Sequence, residues 1–377
     1  MFCVPKREHP AYFTQECYTV IMKNFFYNCF SGVLLLMFIA VMPQNIQAQD
    51  PQFSQFYAAP TLTNPALTGI FDGRFRVVMN YREQWASIIN DHPFRTVAGS
   101  FELRHNVGRN DFLSYGVNVL RDEAGDGQYT RNQGALNVAY MKKLSGGRYG
   151  SGTQFLVAGA QVGGGQHSLR GDRLWFSNQY DFAAEEINFG IASGEGFNTM
   201  SDFYIDLNAG LLWYAVIEDN LSIYAGGALH HINAPRVTFF TGGDAGEINT
   251  KWSGQIGGEL PLSGELSILP AAIVMGQGPS LNTIFGTNFR YTNRDWREIA
   301  IRVGVWGNLV NNLDSGISFP SMIYTAVLEM GRWNVGLSYD VNAGGLTAPT
   351  NSRGAFEVSA AYVHPGERKL KVRCPKL

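Results

Sequence analysis

The sequence predicts an all-β protein: an antiparallel transmembrane outer-membrane β-barrel of about 14 strands, with long extracellular loops and short periplasmic turns. Three observations predict it. From Phe75 onward the dominant hydropathy period is two, the spacing of a strand with one apolar face. The alternating segments run about nine to twelve residues, longer than an ordinary strand and the length of a tilted membrane-crossing one. The connections between them mostly alternate long and short, which a soluble sandwich has no reason to do.

The first 48 residues read as a targeting segment. Val33–Met42 (VLLLMFIAVM) is too short an apolar run to span a bilayer but has the length of a signal-peptide core. Lys23 precedes it, and Asn45–Ala48 ends in a small residue, so cleavage is expected after Ala48. Met22-Lys23 resembles a start, which makes residues 1–21 a candidate mis-called extension. Cys3, Cys17 and Cys29 precede the cleavage point. Cys374 is then alone, and no disulfide framework is expected.

Residues 49–73 follow as an N-terminal segment. It has neither strand alternation nor a helical stripe. Pro65 directly after Asn64 marks a turn, and Phe53, Phe56 and Tyr57 offer apolar contacts. The expectation is an ordered periplasmic segment, tucked into the periplasmic mouth of the barrel or docked on a periplasmic partner.

The barrel is expected over 74–363. Its strands are read near 74–84, 94–104, 112–122, 132–143, 152–165, 202–215, 221–231, 252–260, 266–275, 281–291, 298–308, 321–330, 332–341 and 355–363. In the first, Phe75, Val77, Met79 and Tyr81 oppose Arg74, Arg76, Asn80 and Arg82. In the thirteenth, Trp333, Val335, Leu337 and Tyr339 oppose Arg332, Asn334, Ser338 and Asp340. The segments at 252–260 and 266–275 are weaker, because Pro261 and Pro270 belong at strand ends or bulges. The long connections are 85–93, 123–131, 166–201, 232–251, 309–320 and 342–354; the one near 276–280 breaks the alternation. Tyr81, Trp213, Tyr214, Trp252, Tyr291, Trp333, Tyr339 and Tyr362 lie near strand ends, where interfacial aromatic girdles sit. Residues 364–377 form a basic tail.

Composition restricts the function. The chain has 377 residues, 43 glycines, 13% aromatics, 16% charged residues and a net charge of −2. Nothing there points to nucleic acid. No catalytic, cofactor or metal site is expected. Asp122–Gln128 (DEAGDGQ) resembles a calcium loop but has Gln133 where the twelfth-position acid belongs. His230 and His231 are adjacent, so on a strand they would face opposite ways and could not share an ion. No G-x-S-x-G is present. Arg74, Arg76, Arg82, Arg302 and Arg332 are candidate lumen charges. They could select anions, or pair with Asp206, Glu102, Glu329, Asp340 and Glu357 to fill the lumen; the second reading is adopted. A passive porin remains the alternative.

The stretch DPQFSQFYAAPTLTNPALTG closely resembles the N-terminal signature of the PorP/SprF family of type IX secretion and gliding-motility outer-membrane proteins. The matching residues are Asp50, Pro51, Phe53, Ser54, Gln55 and Phe56, then Asn64, Pro65, Ala66 and Gly69. NYREQW (80–85), DEAGDGQYT (122–130), FYIDLNAGLLWY (203–214), YAGGALHHINAP (224–235), NVGLSYDVN (334–342) and FEVSAAY (356–362) are similar to later blocks, so the resemblance spans nearly all the chain after 48. It implies a non-enzymatic accessory barrel in outer-membrane lipid. The implied partners are adhesin-like cargo with a conserved C-terminal domain, and periplasmic-ring and peptidoglycan-binding subunits of the secretion machine. It also makes the N-terminal residues just named candidates for partner binding.

Overall fold

The computed structural model describes residues 49–365, except 90–91, 109, 146–151, 197, 219, 241–244, 294–298 and 313–315. The expected signal peptide, the tail beyond Pro365 and all four cysteines lie outside the described residues.

Fourteen antiparallel strands close into one barrel. They are β1 (Phe75–Gln84), β2 (Phe94–Val107), β3 (Asp111–Ala124), β4 (Tyr129–Ser145), β5 (Thr153–Ser168), β6 (Tyr204–Glu218) and β7 (Leu221–His230). The second half comprises β8 (Lys251–Pro261), β9 (Leu266–Gln277), β10 (Ser280–Tyr291), β11 (Ile299–Asn312), β12 (Gly316–Met330), β13 (Trp333–Asn342) and β14 (Arg353–His364). Each strand pairs with its sequence neighbours, and β1 pairs with β14 from Phe75↔His364 to Gln84↔Ala355. That closure leaves no open edge, the condition for a sheet in hydrocarbon. Among the described residues no helix is long and apolar enough to cross a membrane; this chain crosses with strands.

The alternation separates two environments. On β1, Met79 is 63% exposed while Val78 is buried. On β6, Ile205, Leu207 and Leu211 face out, and Asp206, Asn208, Leu212 and Tyr214 face in. Tyr214 therefore lies inside, stacked on Tyr224 at 6.2 Å, and is not in an outer girdle. Its even number puts it on the lumenal phase. Trp252, Tyr291, Trp333 and Tyr339 do face outward.

Several strands run further than the sequence suggests. β4 has 17 residues and β5 has 16. The expected long connection 123–131 shrinks to 125–128, and much of 309–320 is strand, since β11 ends at Asn312 and β12 begins at Gly316. Beyond the membrane a strand no longer needs apolar outward residues, so the alternation fades while the ladder continues. At Pro270 the β8–β9 ladder lapses. Gly257↔Ala271 and Leu260↔Ile268 pair, and the positions between do not, because proline has no N–H to give. The break near 276–280 is a two-residue turn with Gly278 at φ +55°.

The two largest connections, 169–203 and 231–250, emerge at one end of the barrel, together with 85–93 and 343–352. The short connections 125–128, 278–279 and 313–315 share that end; the other end carries only connections of seven residues or fewer, and there the chain also enters at Gly73 beside His364 and leaves after β14.

Candidate functional site

Residues 49–71 lie inside the lumen. Asp50 is held at the long-loop end, and the chain descends from there to Phe71 near the short-turn end. The segment is ordered, but within the barrel, not at its short-turn mouth. Its local shape follows from its prolines. Pro60 opens a single helical turn, Pro60–Thr63, and Pro65 opens a 3-10 turn, Pro65–Leu67, both at positions where a missing N–H costs nothing. Asn64 between them accepts from Ala66 N–H at 2.8 Å and donates to Gly227 O at 3.1 Å. Two lumen-facing glycines make room. A Cβ on Gly159 would strike the Pro65–Ala66 backbone, and one on Gly210 would strike the Asn64 carboxamide.

Apolar side chains on this plug supply the core of the barrel. Ala66, Leu67 and Ile70 pack with Phe112, Met141, Phe155, Val157 and Leu212. Phe56 packs with Ile273, Ile284, Trp306 and Ile323, its ring edge-on to Trp306 at 5.6 Å. Phe53 and Ala59 meet Ala98 and Leu120. Each large side chain buried this way contributes about 1.5–3 kcal/mol.

Three polar latches hold the plug. At the long-loop end the Asp50 carboxylate meets Arg131 at 2.6 Å, His231 Nε2 at 2.9 Å and Lys251 at 3.5 Å, and Asp50 N–H donates to Gln277 at 2.8 Å. The other ring nitrogen of His231 meets Asp206 at 2.8 Å. Burial alone would raise the Asp50 pKa; the charges of Arg131 and Lys251 and the His231 bond outweigh it and hold the carboxyl well below its usual range. Burial likewise disfavours charged His231, but the bonds to Asp206 and Asp50 push it up to about 9.

At the middle latch, buried Glu357 accepts Ser54 N–H at 2.6 Å and Gln55 N–H at 2.9 Å, and is paired with Arg82. Arg82 also meets Asp340 at 3.0 Å, to which Ser54 Oγ donates at 2.7 Å. The Gln55 side chain bonds Ser338 at 3.1 Å and Ser359 at 3.0 Å. At the third latch Glu102 accepts Gly69 N–H at 2.9 Å and pairs with Arg76 at 2.8 Å, and Arg76 donates to Ile70 O at 3.2 Å. Gly69 has φ +81°, and a Cβ there would collide with Ser114.

The structure thus brings together Asp50, Ser54, Gln55, Phe53, Phe56, Asn64, Pro65 and Gly69, all turned onto the barrel wall; Pro51 borders a small cavity of about 90 Å³ beside Asp50. Of the five arginines, Arg76 and Arg82 hold the plug. Arg302 pairs with Glu329 at 2.9 Å beside a cavity of about 560 Å³ toward the short-turn end. Arg74 and Arg332 are exposed near that end and do not belong to the lumen proper. Asp206 pairs with His231 and with none of the five. His230 and His231 both turn inward, contrary to strict alternation, because the strand ends at His230 and His231 adopts φ +55°. Sequence reading missed Arg131, His231 and Lys251 as a group. Their one legible signal was polar residues on the inward phase at the outer ends of β4 and β8; His231 gave none, since it turns inward only because the strand stops before it.

A closed fourteen-stranded barrel with an apolar outer face and a polar lumen is an outer-membrane protein. The particular family is given by the sequence: the profile of the type IX secretion system membrane protein PorP/SprF matches residues 45–362, and the chain belongs to that family. No curated protein sequence matches it. Similar solved structures include the TodX monoaromatic hydrocarbon channel as its deltaS2 mutant, at 11% identity over 81% of this chain and 93% of that one, with a TM-score of 0.47. The P. putida toluene transporter TodX matches at 9% identity over 81% and 94%, TM-score 0.42. Acinetobacter baumannii Omp33 matches at 8% over 78% and 99%, TM-score 0.34.

Proposed function

We propose that this barrel is a non-enzymatic accessory protein of type IX secretion that supports the secretion, surface localisation or anchoring of adhesin-like cargo. One observation supports this reading above the others in a chain of this family. The lumen is occupied by the chain's own segment, pinned at three levels, so the surfaces left for partners are the two ends. On this reading the long-loop end meets cargo at the cell surface. The short turns and the basic tail 364–377 meet periplasmic-ring or peptidoglycan-binding subunits, and residues 1–48 are the signal peptide that exports the chain. Residues 49–73 then serve as plug. A passive channel, the alternative, requires the plug to leave. Deleting the gene and measuring surface adhesin, secreted cargo and colony spreading tests the reading. Loss of surface display, restored by the intact gene, is expected; unchanged display and spreading would overturn it.

A further inference from the structure

The connection 169–203 is the largest at the long-loop end, and it is built to hold a shape. Leu169 N–H donates to Thr199 O at 2.8 Å across its base. Buried Gln179 donates to Ile191 O at 2.8 Å and accepts from Phe176 N–H at 3.0 Å. Asn178 donates to Ser193 O at 2.6 Å, and Asn188 N–H to Gln179 O at 2.8 Å. A short hairpin, Tyr180–Asp181 paired with Glu186–Ile187, carries the tip.

On this scaffold large apolar side chains point to solvent. Phe182 is 84% exposed, Phe189 62% and Trp175 54%. A loop fastened by this many internal hydrogen bonds could fold its aromatics under itself; an ordered loop that leaves them outside has the signature of a contact surface. Around Phe182 and Phe189 the charge is of one sign. Between Tyr180 and Phe189 the acids Asp181, Glu185 and Glu186 meet no basic residue in sequence, and no described cation pairs with them.

We infer that the 175–191 tip is a docking surface for a secreted protein whose contact face combines apolar side chains with lysine or arginine. Charge complementarity selects this occupant. Three acids beside the aromatics repel the phosphate-bearing headgroups of the membrane's own outer leaflet, and attract a cationic face, which steers encounter and sets specificity. Aromatic anchors in an acidic ring match an apolar core with a polar rim. The inference rests on the secretion reading above in that the partner is a protein delivered to the cell surface.

The test places the photo-crosslinker p-benzoylphenylalanine at Phe182 or Phe189, with Arg332 as a control on the opposite end, in whole cells carrying the full chain. The expected result is a crosslink from 182 and 189, absent from 332, to a secreted protein whose crosslinked peptide carries lysine or arginine beside apolar residues. Asp181→Lys/Glu185→Lys/Glu186→Lys should reduce the yield at least tenfold, and Asp181→Asn/Glu185→Gln/Glu186→Gln by less, with the barrel still heat-modifiable. No protein crosslink, crosslinks to lipopolysaccharide alone, or a yield indifferent to charge reversal would overturn the inference. Should gene deletion abolish cargo display while the tip crosslinks nothing, the tip inference fails and the secretion reading stands. A charge-sensitive crosslink in cells whose display survives gene deletion gives the reverse.

Discussion

Glu357→Gln is the sharpest test of the plug. Glu357 lies in the wall on β14 and is nearly inaccessible, yet it accepts two backbone N–H groups of the plug, from Ser54 at 2.6 Å and Gln55 at 2.9 Å, while pairing with Arg82. Glutamine keeps the volume but offers one acceptor oxygen and an NH2 that faces donors. Hydrogen bonds to a charged group contribute about 1.5–3 kcal/mol each. Breaking a buried pair from one side costs about 3–5 kcal/mol. Asp340 still accompanies Arg82, so the low end, about 3 kcal/mol, is the working figure; it corresponds to a roughly hundredfold larger released population. Residues 49–73 contain no lysine or arginine, so trypsin is blind to release, whereas chymotrypsin would cut at Phe53, Phe56 or Tyr57. When opening is fast relative to cleavage, the rate tracks the open population. Intact-mass spectrometry of the detergent-solubilised barrel should therefore show N-terminal loss about a hundredfold faster in the variant. A rate within threefold of wild type, with the barrel still heat-modifiable, would refute the assignment of Glu357 as a plug latch.

Other outcomes follow from the same contacts. Gly159→Val puts side-chain atoms where Pro65 and Ala66 lie, so the barrel should still form while the plug cannot seat, giving steady planar-bilayer conductance absent from wild type; a closed barrel would count against the fit. Asn64→Ala removes a cap and a buried amide bond, at about 1–2 kcal/mol for the cap, and should raise chymotryptic release about tenfold, with unchanged release telling against it. The Asp50 latch has two pH limits. The lowered Asp50 pKa stabilises above the carboxyl's ordinary 3.8 and is lost as pH falls through the depressed value. The raised His231 pKa stabilises fully below 6.5 and is lost as pH rises through about 9. Plug protection should peak between those limits, and Asp50→Asn should remove the acid limb and weaken the alkaline one, since Asp206 still holds His231; an unaltered profile would show that the latch does not hold the plug.

All fourteen strands were legible in the sequence, because strand alternation is a local property: Met79 against Asn80, or Leu207 against Asn208, announces two solvents on two faces wherever the neighbours lie. The inward charges were legible as a group of five arginines and five acids but not as pairs; the structure matches Arg76 with Glu102, Arg82 with Asp340 and Glu357, and Arg302 with Glu329. Strand ends were less legible, since the outward apolar signal stops at the membrane surface and the hydrogen-bonded ladder does not.

The N-terminal segment shows where local reading stops. Its turns could be read from Asn64 and Pro65, and its aromatics announced burial. Its position could not be read, because the contacts that set it are remote: Asp50 meets His231 across 181 residues, and Ser54 meets Glu357 across 303. Only a closed barrel brings β4, β7, β8 and β14 around one axis and gives a glycine such as Gly159 a partner to make room for. The sequence by itself determined a barrel with unlike ends and an N-terminal leader carrying turn residues and aromatics. The tertiary structure decided that the leader fills the lumen, because closure converts inward charges scattered along the chain into a single converging site.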